Sequence, residues 1–265
     1  MSTLTRADAA ELAYDRHGSG PTLVLLHPLG ADRHVWAPVI DRLAERRDVI
    51  ALDLPGFGES PVLDGGSAPP TPRVLATAVA GFLDGLGLAA PAHVAGNSLG
   101  GWVALELALA GHVSSVTAIA PAGLWPEPLA PKRGLAQLFA KAMLPVLPAL
   151  VSSRRGRRIA LAGSIANPDR VPPDAALRLV RAYAQAPGFA EVNAAMRAGR
   201  FTQLGEIRVP VTLGWPEHDR LVARPRKLPV GVRSVVLPGA GHLPMWDAPE
   251  LVAGLLLKAS GGFVA

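Results

Sequence analysis

The chain contains no cysteine among its 265 residues. This absence excludes a disulfide framework, a thiolate metal site and a cysteine nucleophile. It also fits a reducing compartment. The first ten residues have no apolar segment of the kind found in a secretory signal. We therefore expect a cytoplasmic protein.

Charged residues are also few, at 18% of the chain, whereas 49% of the residues are hydrophobic. A chain of this length and composition can bury a large core, which excludes a disordered protein and indicates one large domain.

Lysine is scarce, since most of the 26 basic residues are arginines. The formal net charge of +5 would permit a nucleic-acid partner. However, most arginines are scattered among acidic residues. The one dense basic run, residues 154–158, has no interleaved aromatic residue for base stacking. We expect no nucleic-acid partner.

The stretch 91–105 carries the strongest chemical signal of the chain. A short β-prone run ends at Gly96, and apolar residues at helical spacing begin directly after Ser98. Such a strand-to-helix turn exposes a nucleophile and forces its backbone into a sparsely allowed conformation. The turn leaves no room for a Cβ atom two positions away, which accounts for Gly96 and Gly100. The helix that follows directs its free N–H groups towards an oxyanion. Ser98 is therefore the candidate nucleophile.

Apolar runs of strand length alternate with helical patterns on both sides of this turn, which predicts a parallel α/β sheet. The predicted strands are 11–17, 22–26, 48–52, the run that ends at Gly96, 113–120, 209–215 and 234–237. The predicted helices are 34–46, 73–86, 99–110 and 249–260.

This alternation stops between residues 121 and 200, where strand signals vanish and prolines are frequent. We predict an inserted helical cap over residues 121–200 and a core domain formed by residues 1–120 and 201–265.

Residues 134–151 of the predicted cap form a long apolar run with a single charge, Lys141. Pro145 and Pro148 interrupt the run, so we expect no stable membrane span. A lid that shields a hydrophobic pocket fits the run better, and reversible contact with a lipid surface is the alternative.

A serine nucleophile needs a base to accept its proton and an acid to orient that base. His242 lies in a glycine-rich loop just past the last predicted strand, and Asp219 directly follows the preceding strand. We predict His242 as the base and Asp219 as the acid.

The order Ser98, Asp219, His242 resembles the catalytic triad of the α/β-hydrolase family. Residues 27–30 resemble the oxyanion loop of that family, and residues 53–58 resemble its Asp-x-Pro-Gly-x-Gly turn. The resemblance spans about residues 11–260. It implies an eight-stranded, mostly parallel sheet flanked by helices, with a cap inserted after the sixth strand.

The resemblance also implies that the backbone N–H groups of Leu29 and Leu99 form the oxyanion hole, and that His27 is a structural residue. Pro28 stands where the family usually has glycine, but it removes neither donor. Pro216 likewise replaces a usual glycine in the acid loop, which leaves Glu217 as an alternative acid.

The predicted function is hydrolysis of a carboxylic ester or related acyl compound with a hydrophobic group, without metal or cofactor. Apolar and polar residues near the elbow, in the cap and in the histidine loop are candidates for the substrate pocket. These are Asn97, Trp102, Trp125, Phe139, Leu147 and Trp246.

Other functions share the same triad. The resemblance leaves open a C–C hydrolase of ring-fission diketones, although such enzymes usually have a tryptophan where this chain has Leu243. A cofactor-free haloperoxidase or perhydrolase is a further alternative.

Epoxide hydrolases and dehalogenases of this fold need a carboxylate nucleophile, so Ser98 argues against both. A non-catalytic receptor would normally have lost a triad residue. The sequence does not indicate an oligomeric state.

Overall fold

The computed structural model of the protein describes residues 11–63, 69–131 and 135–261. The N-terminal segment considered for a secretory signal lies outside the described residues. So does the start of the long apolar run, at residue 134.

Seven strands form a single sheet in the order β1-β3-β2-β4-β5-β6-β7. β1 pairs with β3 in antiparallel orientation, and every other pair is parallel. The strands are β1 Tyr14–His17, β2 Thr22–Leu26, β3 Asp48–Leu52, β4 His93–Asn97, β5 Ser115–Ile119, β6 Val211–Pro216 and β7 Arg233–Leu237. The predicted α/β fold with a mostly parallel sheet is confirmed.

The strand count differs from the prediction, because the described residues contain seven strands rather than eight. The residue patterns themselves indicated seven strands. The eighth was implied only by the family resemblance, and no pattern in the described residues supports it.

Helices cover both faces of the sheet, which explains why the central strands are almost entirely buried. Val24 and Leu26 of β2 pack in the core on one face, and Leu23 and Leu25 pack in the core on the other. α2 Pro72–Gly85 and α3 Leu99–Leu109 contribute to the first core. α1 Ala37–Ala44 and α10 Pro249–Ser260 contribute to the second, and α9 spans Pro244–Asp247.

The chain between β5 and β6 contains helices and no strand in its described part. Its helices are α4 Leu135–Ala142, α5 Leu147–Ser152, α6 Arg154–Ala160, α7 Pro173–Gln185 and α8 Phe189–Ala198. We call residues 121–200 the insertion. Its role as a cap, and its exact boundaries, stay predictions.

The long apolar run is divided in the structure. α4 ends at Ala142 and α5 begins at Leu147 with Pro148 in its first turn, where proline is tolerated because no intrahelical bond is lost. No helix within the described ranges has the length and hydrophobicity needed to cross a membrane.

Candidate active site

The predicted triad residues follow three parallel strands at their carboxyl ends. Ser98 follows β4, Asp219 lies in the loop after β6, and His242 lies in the loop after β7. In a parallel sheet these ends share one edge, where ligands of open α/β sheets bind. The sheet therefore brings three residues together that are far apart in the sequence.

Ser98 has the strained backbone that a nucleophile elbow requires, with φ at 54° and ψ at −112°. Among the described residues, Ser98 and Ala120 are the only residues other than glycine with a positive φ. Ala120 directly follows β5. A Cβ atom on Gly96 would overlap the carbonyl oxygen of Gly100, and one on Gly100 would overlap that of Leu26. Close backbone approach therefore explains both glycines.

His242 and Asp219 form a buried pair. The distance from His242 Nδ1 to Asp219 Oδ2 is 2.8 Å, and the two side chains are 6% and 4% exposed. A carboxylate can only accept, so Nδ1 carries the proton and Nε2 keeps a free lone pair. This tautomer is the one that can act as a general base.

Asp219 is held in its ionised form. Burial opposes ionisation, but the hydrogen bonds from His242 and from two backbone N–H groups outweigh it and lower the pKa of Asp219. Asp219 Oδ1 also accepts from the backbone N–H groups of Leu221 and Val222, at 2.7 and 3.1 Å. These bonds fix the carboxylate plane.

Glu217 is engaged elsewhere. Its Oε2 accepts from the backbone N–H of Gly239 at 2.8 Å. The loop after β6 is also bound to the strand and loop of β7, through bonds from Glu217 N to Leu237 O and from His218 N to Ala240 O. This pairing directs Asp219, and not Glu217, towards His242.

Ser98 Oγ and His242 Nε2 are not joined by a hydrogen bond in the described structure. Catalytic hydrogen bonds are often long in a free enzyme and tighten when substrate binds, so the arrangement remains compatible with proton transfer.

The backbone N–H groups of Leu29 and Leu99 are the two candidate donors to an oxyanion. Leu99 is the first residue of α3, whose opening N–H groups have no intrahelical partner. Leu29 follows β2, the neighbour of β4 in the sheet, so both residues lie at the same ends of the strands as Ser98. Their role as an oxyanion hole stays a prediction.

His27 fixes the loop that carries Leu29. Its Nε2 accepts from the N–H of Leu54 at 2.9 Å, and its Nδ1 donates to the carbonyl of Pro28 at 2.8 Å. Burial lowers the pKa of His27, which keeps the imidazole neutral and therefore able to make both bonds.

Asn97 differs from its predicted position in the substrate pocket. Its side chain is fully buried, and Nδ2 donates to the carbonyl oxygens of Ile119 at 3.1 Å and His242 at 3.2 Å. Asn97 therefore ties the strand of the nucleophile to the loop of the histidine and does not line an open pocket.

Two predicted pocket residues form an aromatic pair at the base of the insertion. The Trp102 and Trp125 rings meet edge to face at 5.8 Å. Trp102 is buried in the core and donates from Nε1 to Glu106, whereas Trp125 donates to the carbonyl of Gly199. These contacts attach the insertion to α3, and any contact of the two rings with substrate stays a prediction.

Phe139 does not line an enclosed pocket, because the residue is 68% exposed. Leu147 packs fully buried in the second core cluster, and the half-buried Trp246 packs against the same cluster. Helical spacing identified the apolar residues of the insertion, but it could not tell which of them face inward.

The structure brings two aromatic residues to the oxyanion loop that the sequence analysis missed. A Cβ atom on Gly30 would meet the ring of Tyr183 at 2.6 Å and that of Phe189 at 3.2 Å. The two rings pack edge to face at 5.0 Å. Gly188 between them donates to the carbonyl of Gly56 at 2.9 Å. Only the Pro187-Gly188 turn signalled this contact in the sequence.

The insertion also contacts the histidine loop. The N–H of Leu243 donates to the carbonyl of Ser164 at 2.8 Å, and the carboxylate of Asp247 accepts from the N–H groups of Ala166 and Asn167. The insertion therefore contacts both sides of the sheet edge where Ser98 lies.

A cavity of about 460 Å³ lies beside this second contact. It is lined by residues including Arg158, Asp169, His218, Arg220 and Gly241, but not by Ser98 or His242. It is therefore separate from the reacting groups. Within the described ranges there is no cluster of three or more side chains suited to hold a metal ion.

The comparisons with known proteins point to one family. A model of the alpha/beta hydrolase family matches residues 23–255. Epoxide hydrolase EphH of Mycobacterium tuberculosis is 34% identical over 198 residues, which cover 69% of this chain and 92% of the relative. The pimeloyl-[acyl-carrier protein] methyl ester esterase of Aeromonas hydrophila is 31% identical over 258 residues, covering 90% of this chain and 95% of the esterase.

A solved structure agrees with these relatives in fold. A hydrolase from Pseudomonas aeruginosa superimposes with a TM-score of 0.75 and 26% identity, over 98% of each chain.

Proposed function

The chain belongs to the alpha/beta hydrolase family and is a hydrolase, and we propose that it cleaves carboxylic esters of hydrophobic groups with Ser98 as nucleophile. The observation that carries the proposal is the buried His242–Asp219 pair, at 2.8 Å, on the sheet edge where Ser98 occupies a strained elbow. A small hydrophobic ester is the proposed substrate, and no cofactor takes part.

In the first half of the proposed reaction, Ser98 Oγ attacks the ester carbonyl while His242 Nε2 accepts the serine proton. Asp219 stabilises the imidazolium through Nδ1–H. The N–H groups of Leu29 and Leu99 donate to the negative oxygen of the tetrahedral intermediate. His242 then returns the proton to the leaving alcohol, and an acyl ester of Ser98 remains.

In the second half, His242 Nε2 removes a proton from water, and the hydroxide attacks the acyl-enzyme carbonyl. The intermediate collapses with protonation of Ser98 Oγ by His242. The products are the free acid and the restored enzyme.

The epoxide hydrolase relative raises a second chemistry, which the nucleophile of this chain does not support. A carboxylate that opens an epoxide forms an ester, which water can hydrolyse. A serine alkoxide would form an ether, which has no carbonyl for water to attack. Ser98 is therefore suited to acyl transfer.

The esterase relative is consistent with this chemistry. The name of that Aeromonas protein states ester hydrolysis, and the similarity extends over 90% of the present chain. The particular ester of that relative is not assigned to this protein.

The proposal is tested with p-nitrophenyl esters of increasing chain length, a ring-fission diketone and an epoxide. We expect turnover of the esters alone, loss of turnover by several orders of magnitude in Ser98→Ala, and fluorophosphonate labelling of the wild type but not of the variant. Turnover retained by pure Ser98→Ala would refute the nucleophile. Preference for the diketone would move the activity to C–C hydrolysis.

A further inference from the structure

The outer part of the insertion has an unusual charge balance. Residues 135–168 contain one lysine and four arginines but no aspartate or glutamate. All of these residues lie in the described part of the chain. The excess of positive charge in this segment is therefore not balanced by acids within it.

α4 presents an apolar stripe to solvent. No residue of this helix is buried, and Leu135, Leu138 and Phe139 are 67%, 65% and 68% exposed. Spacings of three and four residues put them on one helical face. Lys141 lies three residues after Leu138, and the half-exposed Val146 extends the apolar surface into the turn before α5.

α4 is held with this stripe outward. It packs against α7, and Gln137 Nε2 donates to the carbonyl oxygens of Tyr183 and Ala186 at 3.0 and 3.1 Å. These bonds fix the inner side of α4 at the end of α7 that covers the oxyanion loop. The outward stripe is therefore a built feature of the surface.

α6 adds a cationic face. Arg154 and Arg155 are exposed on it, together with Ile159, of which 69% is exposed, whereas the exposed Arg158 forms an ion pair with Asp169 at 3.2 Å. Arg157 alone turns inward and donates to the carbonyl oxygens of Val151 and Ser152, which fixes the junction between α5 and α6.

The two surfaces are close along the chain. The six residues of α5 and Ser153 separate Val146 from the start of α6, and a helix of six residues spans about 9 Å. α4, α5 and α6 all pack against α7, and α5 also packs against α6. These three outer helices therefore belong to one packed unit.

We propose that the apolar stripe of α4 and the cationic face of α6 form a docking surface for an anionic lipid bilayer. Apolar side chains that enter the headgroup region beside a row of basic residues are typical of helices that lie on a membrane surface. A protein partner would be expected to bind basic residues through its own acids. A surface for such a partner would expose far fewer apolar side chains than this one does. The proposal does not depend on the reaction at Ser98.

The test is sedimentation of the full chain with vesicles of phosphatidylcholine, with and without phosphatidylglycerol. We expect binding to the anionic vesicles that falls steeply as salt is raised. Leu138→Ser combined with Phe139→Ser should abolish it. Arg154→Gln combined with Arg155→Gln should weaken it about 25-fold, since each basic residue contributes about fivefold.

Matched controls lie outside the insertion. Val230→Ser removes a fully exposed apolar side chain and Arg208→Gln removes an exposed arginine, and both should leave vesicle binding unchanged. Circular dichroism melting confirms that every variant folds.

Absence of vesicle binding by the wild type would overturn the proposal, and so would equal binding by the α4 variant. Concentration-dependent dimers in light scattering that disappear in the α4 variant, without lipid binding, would instead assign the surface to a second copy of the chain.

Discussion

The sheet edge and the outer insertion differ in which side chains they bury and which they expose. At the sheet edge, charged groups are buried and paired, as with Asp219 and His242 or with Asp53, which accepts from the guanidinium of Arg33. On the outer insertion, Phe139 and its neighbours expose large apolar side chains beside basic residues. Buried pairs hold reacting groups in a fixed geometry, whereas an exposed apolar face is free to meet a ligand.

The inner side of the insertion differs again from its outer side. Tyr183 and Phe189 pack on Gly30 of the oxyanion loop, and Ser164 accepts a bond from the histidine loop. We therefore expect substitutions at the sheet edge to change turnover, those on the inner side to change selectivity, and those on the outer side to change neither.

The largest effect is expected at the acid. Asp219→Asn should lower kcat/KM about 10³-fold to 10⁴-fold, because the amide can donate to Nδ1 and favours the wrong tautomer of His242. Glu217→Gln, the matched control, should change it by less than about twofold, since the carboxylate of Glu217 accepts from Gly239 N and not from His242. Measured kcat/KM on one ester decides between them, and equal losses would return the acid role to Glu217.

A smaller effect is expected at Asn97, which we assign as a positioning residue. Asn97→Ala removes both bonds that tie β4 to the histidine loop, and the resulting displacement of His242 should lower kcat about 10-fold to 100-fold. KM should barely change, because the side chain of Asn97 is fully buried. Asn193→Ala on α8 is the control. A loss confined to KM would instead return Asn97 to the substrate pocket.

The next effect concerns selectivity. Tyr183→Leu or Phe189→Leu should shift the chain-length preference of kcat/KM about tenfold, the value of one or two methylene groups at about 0.8 kcal/mol each. Phe139→Ala should leave the preference unchanged because its side chain faces solvent. The ester series already described provides the measurement. A shift in Phe139→Ala alone would show that α4 closes over the substrate in solution.

The last prediction changes stability and leaves activity unaffected. His93 is bonded to Ser115 and Thr117, and burial, with a smaller effect of Arg47, lowers its pKa from 6.5 to about 4. Between pH 6.5 and about 4, His93 is protonated in the unfolded chain but neutral in the folded protein. As the pH is lowered through this window, the free energy of unfolding should therefore fall by up to about 1.4 kcal/mol for each pH unit.

His93→Gln should reduce that slope, as measured by urea unfolding at pH 7, 5.5 and 4.5. His27 is also buried with a lowered pKa, so a residual slope should remain. The exposed His112→Gln is the control. An unchanged slope in His93→Gln would show that His93 does not contribute to acid sensitivity.

The sequence by itself determined the α/β alternation and several element bounds. The predicted strands 22–26 and 48–52 agree with β2 and β3 to the residue, because a strand buried on both faces produces a nearly continuous apolar run. The elbow was equally clear, since the tight turn around Ser98 requires glycine at fixed positions. These are local constraints, and the residues that satisfy them are neighbours in the chain.

Tertiary structure decided everything that depends on contacts between distant segments. The pairing of His242 with Asp219 rather than Glu217 follows from the bonds between the loops after β6 and β7. Helical periodicity marked Phe139 and Leu147 as apolar, but only the packing of the insertion on the sheet exposes one and buries the other. A periodic pattern gives the spacing of a face, whereas the direction of that face is set by the elements that pack against it.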